Sequence, residues 1–151
     1  MTDSQRTIRT TPRKGIRLDD SLVPLFISEL IEPSRDLWLL SGWVSDLAVL
    51  DNTDDDFAAV LGEGHAGPIP LTTVLRLITE RGAVLHVSLR PNSHNEDFIG
   101  RLRRQVAAER LRLHVDDDIH EKTLCGSNWV VSGSMNFTWN GTEVNNEALT
   151  Y

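Results

Sequence analysis

Three short apolar runs, separated by segments with helical spacing, constrain this chain more than any other feature. They are Asp36–Val44, containing LWLLSGWV, then Ala83–Leu89, and then Leu111–Val115. Runs of this length, bounded by turn residues, read as strands rather than buried helices. The first is continuously apolar, which suits a strand covered on both faces. Between the first two, Pro70 is placed to begin a helix with Leu71, Val74, Leu75 and Ile78 on one stripe, stopped by Gly82. Between the second and third, Pro91 and Asn92 break the chain. Ser93–Glu109 then sets Phe98, Leu102, Val106 and Ala107 near one face. Two further apolar runs, Ile119–Cys125 and Trp129–Ser132, flank Gly126, Ser127 and Asn128, a hairpin-turn composition. Strands alternating with helices, followed by a hairpin, predict an α/β fold. The expected architecture is a mixed central sheet flanked by helices, a sandwich in a single domain.

The remaining segments are less patterned. Residues 1–19 lack apolar periodicity and read as a flexible basic arm, ahead of a domain spanning 20–151. Asp19, Asp20 and Ser21 offer caps for a short helix carrying Leu22, Leu25, Phe26 and Leu30, ended by Pro33. The acidic, glycine-bearing stretch Asp51–Pro70 reads as a loop with a helical turn near Phe57–Leu61. A last strand is expected over Glu147–Tyr151.

Composition narrows the function classes. A chain of 151 residues buries enough surface to fold without disulfides or a structural metal. Its single cysteine, Cys125, can form neither an internal bridge nor a zinc site alone. Met1–Arg17 has no apolar core of a secretory signal, and no run approaches a membrane span, so a cytoplasmic location without membrane contact is expected. The net charge of −7 argues against indiscriminate coating of nucleic acid. Charge is uneven, however. Arg6, Arg9, Arg13, Lys14 and Arg17 make one basic stretch; Arg101, Arg103, Arg104, Arg110 and Arg112 make another. Acid gathers at Asp51–Asp56 and Asp116–Asp118.

The segment from Asp118 to Ala148 holds the chemistry. His120 and Lys122 are two apart, a spacing that on a strand points both side chains to one face. The hairpin returns Gly133, Ser134 and Asn136 toward them, and Glu147 follows on the last strand. A neutral imidazole is a nucleophile that can attack phosphorus near neutral pH. An ammonium and an amide are donors for the negative charge of a phosphoryl transition state. Gly133 permits close backbone approach, Ser134 adds a hydroxyl, and Glu147 can fix the tautomer of His120. Lys14 and Lys122 are the only lysines, which singles out Lys122. His65, His86, His94 and His114 read as ordinary satisfied groups. Trp38, Trp43 and Trp129 read as core or interface residues. Trp139, on the loop after the motif, is the exception offered for substrate contact. Asp116–Asp118 reads as a turn rather than a metal site.

The pattern His120-x-Lys122 followed by Gly133-Ser134-x-Asn136 resembles the HKD motif of the phospholipase D superfamily. Asn136-Phe137-Thr138 and the later Asn146-Glu147-Ala148 extend the likeness, which spans about the last quarter of the chain. The size resembles small bacterial nucleases of that superfamily with one motif per chain. GSMNFTWNG looks like the phospholipase D-like proteins beside bacterial DNA-modification and defence genes. One departure is Ser127, where the family has Asp five residues after Lys. The interval to Gly-Ser is also one residue shorter. The position falls in the hairpin turn, where Ser127 and Asn128 can replace Asp by bonding backbone amides.

The resemblance implies a phosphodiesterase in which His120 forms a phosphohistidine. A second His120, from a twofold-related subunit, protonates the leaving oxygen. It implies no metal and no cofactor, and a homodimer joined through the motif face. Nucleic acid is the expected substrate, because no hydrophobic approach surface for lipid is evident. The alternative is a catalytically degenerate phospholipase D-like domain that binds nucleic acid or a partner protein. A purely structural dimerisation domain is a third reading.

Overall fold

The computed structural model describes residues 7–10, 18–133 and 147–150. In chain order the elements are β1 (Thr7–Thr10), α1 (Leu18–Ile31), β2 (Asp36–Ser41), β3 (Ala48–Asn52), α2 (Ala58–Leu61), β4 (Gly67–Pro70) and α3 (Leu71–Glu80). They continue with β5 (Val84–Leu89), α4 (Ser93–Gln105), a 3-10 turn at Ala108–Arg110, β6 (Leu111–Val115), β7 (Lys122–Cys125), β8 (Val130–Gly133) and β9 (Glu147–Thr150). Seven strands form one sheet in the order β1-β9-β8-β7-β2-β5-β6. β2, β5 and β6 run parallel, and the other pairings are antiparallel. The mixed α/β architecture is the one its patterning predicts.

The core lies between one face of this sheet and the helices. Leu37 and Leu39 of β2, Leu85, Val87 and Leu89 of β5, and Leu124 of β7 are all 0% exposed. α3 covers them, with α1 and α4 packed beside it. In α1, Leu22, Phe26 and Leu30 recur every fourth residue and are buried, as an amphipathic stripe requires. Burying each such side chain stabilises the fold by about 1.5–3 kcal/mol.

The structure revises several expectations. β2 ends at Ser41, where Gly42 bends the chain, and it is fully covered on one face only. Trp38 stays 41% exposed and stacks on His86 of β5, ring centroids 3.9 Å apart. The indole finds a flat partner within the sheet instead of a second helical layer. α1 begins at Leu18, so Asp19, Asp20 and Ser21 lie inside the helix rather than ahead of it. Thr7–Thr10, within the stretch read as an arm, pairs with β9 as β1, a partnership across almost the whole chain that no local pattern announces. Leu71 and its neighbours form α3 as expected, but α4 stops at Gln105 because Val106 turns to extended backbone.

The stretch 48–70 carries a two-stranded ribbon, β3 with β4, on either side of α2. The helical turn near Phe57–Leu61 was legible. The ribbon was not, since Pro68 and Pro70 argue against a strand unless it lies at an edge. Asp46 anchors the ribbon to α3 by accepting from the backbone N–H and hydroxyl of Thr72, both at 2.8 Å.

Candidate active site

The topology brings those predicted site residues that are described to one end of the sheet. Ser41 of β2 pairs with Lys122 at the start of β7. Gly133 closes β8 opposite Leu149. Glu147 begins β9 at the same end, opposite Thr10. The carboxyl ends of the parallel strands β2, β5 and β6 open onto this edge as well, where α/β sheets place their ligand sites. Ser134, Asn136 and Trp139 lie outside the described residues.

His120 stands two residues ahead of Lys122 but outside the strand, because β7 starts at Lys122 rather than Ile119. It is exposed. The Lys122 ammonium donates to the His120 carbonyl at 3.2 Å, and the His120 N–H donates to Glu121 at 3.3 Å. The two motif residues are thus joined by a local bond rather than by strand alternation. Just upstream, Asp116–Asp118 forms the expected turn. The Asp118 N–H donates to the Asp116 carboxylate at 2.9 Å, and the Asp116 N–H to the Leu89 carbonyl at 3.0 Å. The Asp118 amide, with His114 beside it, holds the Asp116 carboxyl below its ordinary range. Among the described residues no three His, Cys, Asp or Glu side chains are grouped to hold a metal ion. Cys125 lies at the far end of β7, and burial pushes its thiol up, which makes it a poor nucleophile.

Ser127 sits in the turn at the opposite end of the β7–β8 hairpin from Lys122. Its backbone N–H donates to the Ser34 hydroxyl at 2.7 Å. Ser34 in turn donates its hydroxyl and its N–H to Glu29, each at 2.7 Å. Trp129 Nε1 donates to the same carboxylate at 2.8 Å. Glu29 is only 3% exposed, and three donors converge on it. The turn is therefore held by Ser34 and Glu29, after α1 and within it, and not by side chains of Ser127 and Asn128. Gly126 is required here, since an added Cβ would lie 2.5 Å from Ser34 Oγ and 2.6 Å from Glu29 Oε1.

Two residues lie at the site edge that the sequence reading did not place there: Arg90, which it did not weigh, and Trp43, which it read as a core or interface residue. Arg90, directly after β5, donates its Nε to the Asp117 carbonyl at 3.0 Å. Its guanidinium carbon lies 5.7 Å from the centre of the Trp43 ring, a cation–π contact. The available signal was their position just beyond two adjacent parallel strands, where functional side chains collect. The arginines weighted instead lie elsewhere. α4 leads away from this edge, so Arg103 and Arg104 in its last turn sit at the far end of the sheet. Arg101 pairs with Asp46 at 3.1 Å, and Arg110 donates to the Gly82 carbonyl at 2.5 Å. The other histidines each have a polar neighbour: His86 with Asp36, His94 with Ser45, His65 with Arg76 and His114 with Asp116.

The fold of this sheet is similar to that of solved phospholipase D family structures. NucT from Helicobacter pylori superposes with a TM-score of 0.59 at 13% identity, over 97% of this chain and 83% of that one. Nuc from Salmonella typhimurium, a phospholipase D family member, matches with a TM-score of 0.59 at 13% identity, over 97% and 80%. A polyphosphate kinase from Porphyromonas gingivalis matches with a TM-score of 0.61 at 13% identity, over 97% of this chain but only 23% of the kinase. No family model and no curated protein sequence matches the chain. Among the described residues no helix is long and apolar enough to cross a membrane.

Proposed function

We propose that this protein is a metal-independent phosphodiesterase, a nuclease acting on DNA or RNA from a homodimeric active site. The observation that carries the reading is the gathering of His120, Lys122, Gly133 and the start of β9 at Glu147 on one edge of a phospholipase D-like sheet. In this reading a ring nitrogen of His120 attacks phosphorus and the bond to the leaving oxygen breaks. That oxygen takes a proton from the partner subunit's His120. Water then attacks the phosphohistidine, giving up a proton to the same partner imidazole, and the P–N bond breaks. Lys122 and Asn136 stabilise the charge on the non-bridging oxygens, Ser134 and Gly133 line the phosphate, and Glu147 orients His120. Trp139 contacts the substrate beyond the phosphate. The subunits meet through the motif face.

The far placement of Ser127 favours this over the degenerate reading, because the missing Asp falls where Glu29 and Ser34 already hold the turn. The test is cleavage of single- and double-stranded DNA and RNA in excess EDTA, with acid-labile phosphate trapped on His120. Chelator-sensitive cleavage would overturn the metal-free mechanism. Binding without turnover by any preparation would leave the non-catalytic reading standing.

A further inference from the structure

We propose that Trp43 and Arg90 form a shelf that takes an unpaired nucleobase and its phosphate, guiding single-stranded nucleic acid across the motif edge. The proposal rests on the nucleic-acid reading above and adds the strand form and the residues that recognise it.

The construction of this corner argues for a binding surface. Trp43 is 36% exposed. A large aromatic that served only as core filler would be held by burial; here the backbone around it is held by polar bonds. Asn95, 0% exposed, accepts from the Val44 N–H at 2.9 Å. Its amide donates to the Gly42 carbonyl at 3.0 Å and to the Arg90 carbonyl at 2.9 Å. The Ser41 hydroxyl donates to the Trp43 carbonyl at 2.9 Å. A buried amide is costly unless satisfied. This one spends its bonds fixing the loops that present the indole and the guanidinium. A shelf fixed in advance loses little entropy when a ligand lands on it.

The chemistry selects the ligand. An indole with a guanidinium over one part of its ring offers its remaining π surface to a base and planar N–H donors to the adjacent phosphate. Such stacking tolerates any base, because each has a π face, but the base must be free of its complement. The location agrees. Trp43 lies two residues beyond Ser41, which pairs with Lys122, and Arg90 bonds to Asp117, three residues before His120. The carboxylates of Asp116, Asp117 and Asp118 on the same edge repel a phosphate backbone in proportion to its charge density, which is greater in a duplex.

Binding is measured by fluorescence anisotropy on the full chain carrying His120→Ala, so that the probe survives. The probes are a labelled short oligothymidylate and a labelled duplex of equal length. Trp43→Ala is expected to weaken oligothymidylate binding roughly 10-fold, the scale of one stacked base. Trp43→Phe retains most of the affinity with unchanged thermal stability. Arg90→Lys, which keeps charge but loses the planar fork, produces an intermediate loss. Duplex binding is unaffected by Trp43→Ala. The shelf is overturned if Trp43→Ala binds as its parent, if both probes weaken equally, or if the parent does not bind the single strand. Wild-type protein separates the two proposals. Trp43-dependent binding without cleavage removes the phosphodiesterase and keeps the shelf. Cleavage with a KM indifferent to Trp43→Ala does the reverse.

Discussion

At its turn, the β7–β8 hairpin is buttressed by a buried carboxylate that accepts three hydrogen bonds and leaves no room for a Cβ on Gly126. At its open end the same hairpin starts with a half-buried Lys122, which a local bond joins to the exposed His120 just ahead of the strand. One end of a short hairpin is built for rigidity and the other for access. The lesson is that a motif contiguous in sequence divides in space. His120 and Lys122 belong to the accessible end, while Ser127, five residues after Lys122, belongs to the buttressed end.

Substitutions at the two ends should therefore affect different quantities. The largest expected effect is on catalysis. His120→Ala should reduce phosphodiester cleavage by on the order of 10⁴-fold or more, with thermal midpoint shifted by no more than about 2 °C. A midpoint shift as large as that of a core variant would erase the division. At the turn, Glu29→Gln leaves Ser34 and Trp129 donors facing an amide. It should cost about 2–4 kcal/mol, read as a drop of roughly 5–10 °C in thermal midpoint. Cleavage per folded molecule should be unchanged. Gly126→Ala should cost about 1–3 kcal/mol by forcing apart Ser34 and Glu29, measured by urea unfolding at constant m.

A smaller effect concerns pH. The Asp116 carboxyl sits below its ordinary value because it accepts from Asp118 and lies beside His114. A carboxyl lowered in the folded state supports the turn fully above its unfolded value. That support fades as pH falls through the lowered one. The Asp118 amide should keep its exchange protection at neutral pH and lose it in acid, with Asp116→Asn removing the transition. The smallest effect should come from Ser127→Asp, which introduces the residue that the resembled motif carries at this position. Activity should stay within about twofold and stability within about 0.5 kcal/mol. A large gain in turnover would place that position in the chemistry and end the comparison.

Much of this was legible because apolar periodicity reports what a sheet buries. β2, α3, β5, α4, β6 and the β7–β8 hairpin all follow from the positions of Leu, Val and Phe. Periodicity does not report coverage: Leu37–Leu40 is uniformly apolar, yet Trp38 lies half outside, resting on His86. Nor does it report partnerships over long separations. The acceptance of Ser34 and Trp129 by Glu29 joins residues a hundred positions apart, and nothing local distinguishes Glu29 from a solvated helix charge. At the candidate site, the placement of Lys122 and Gly133 at one end of the hairpin was readable, because a hairpin's turn fixes which residues lie opposite each other. Trp43 and Arg90 were not, since each is an ordinary residue until two loops bring them together.

The pairing of β1 with β9 places the earliest and latest described strands side by side at one margin of the sheet. Proteolytic trimming through Thr10 would thus act far from its point in the sequence. It would bare a row of unmatched amides and carbonyls on β9, the strand that begins at Glu147. Such a margin is adhesive, so a nicked preparation should gather into larger species, and its loss of turnover could be mistaken for the loss of a substrate-binding tail.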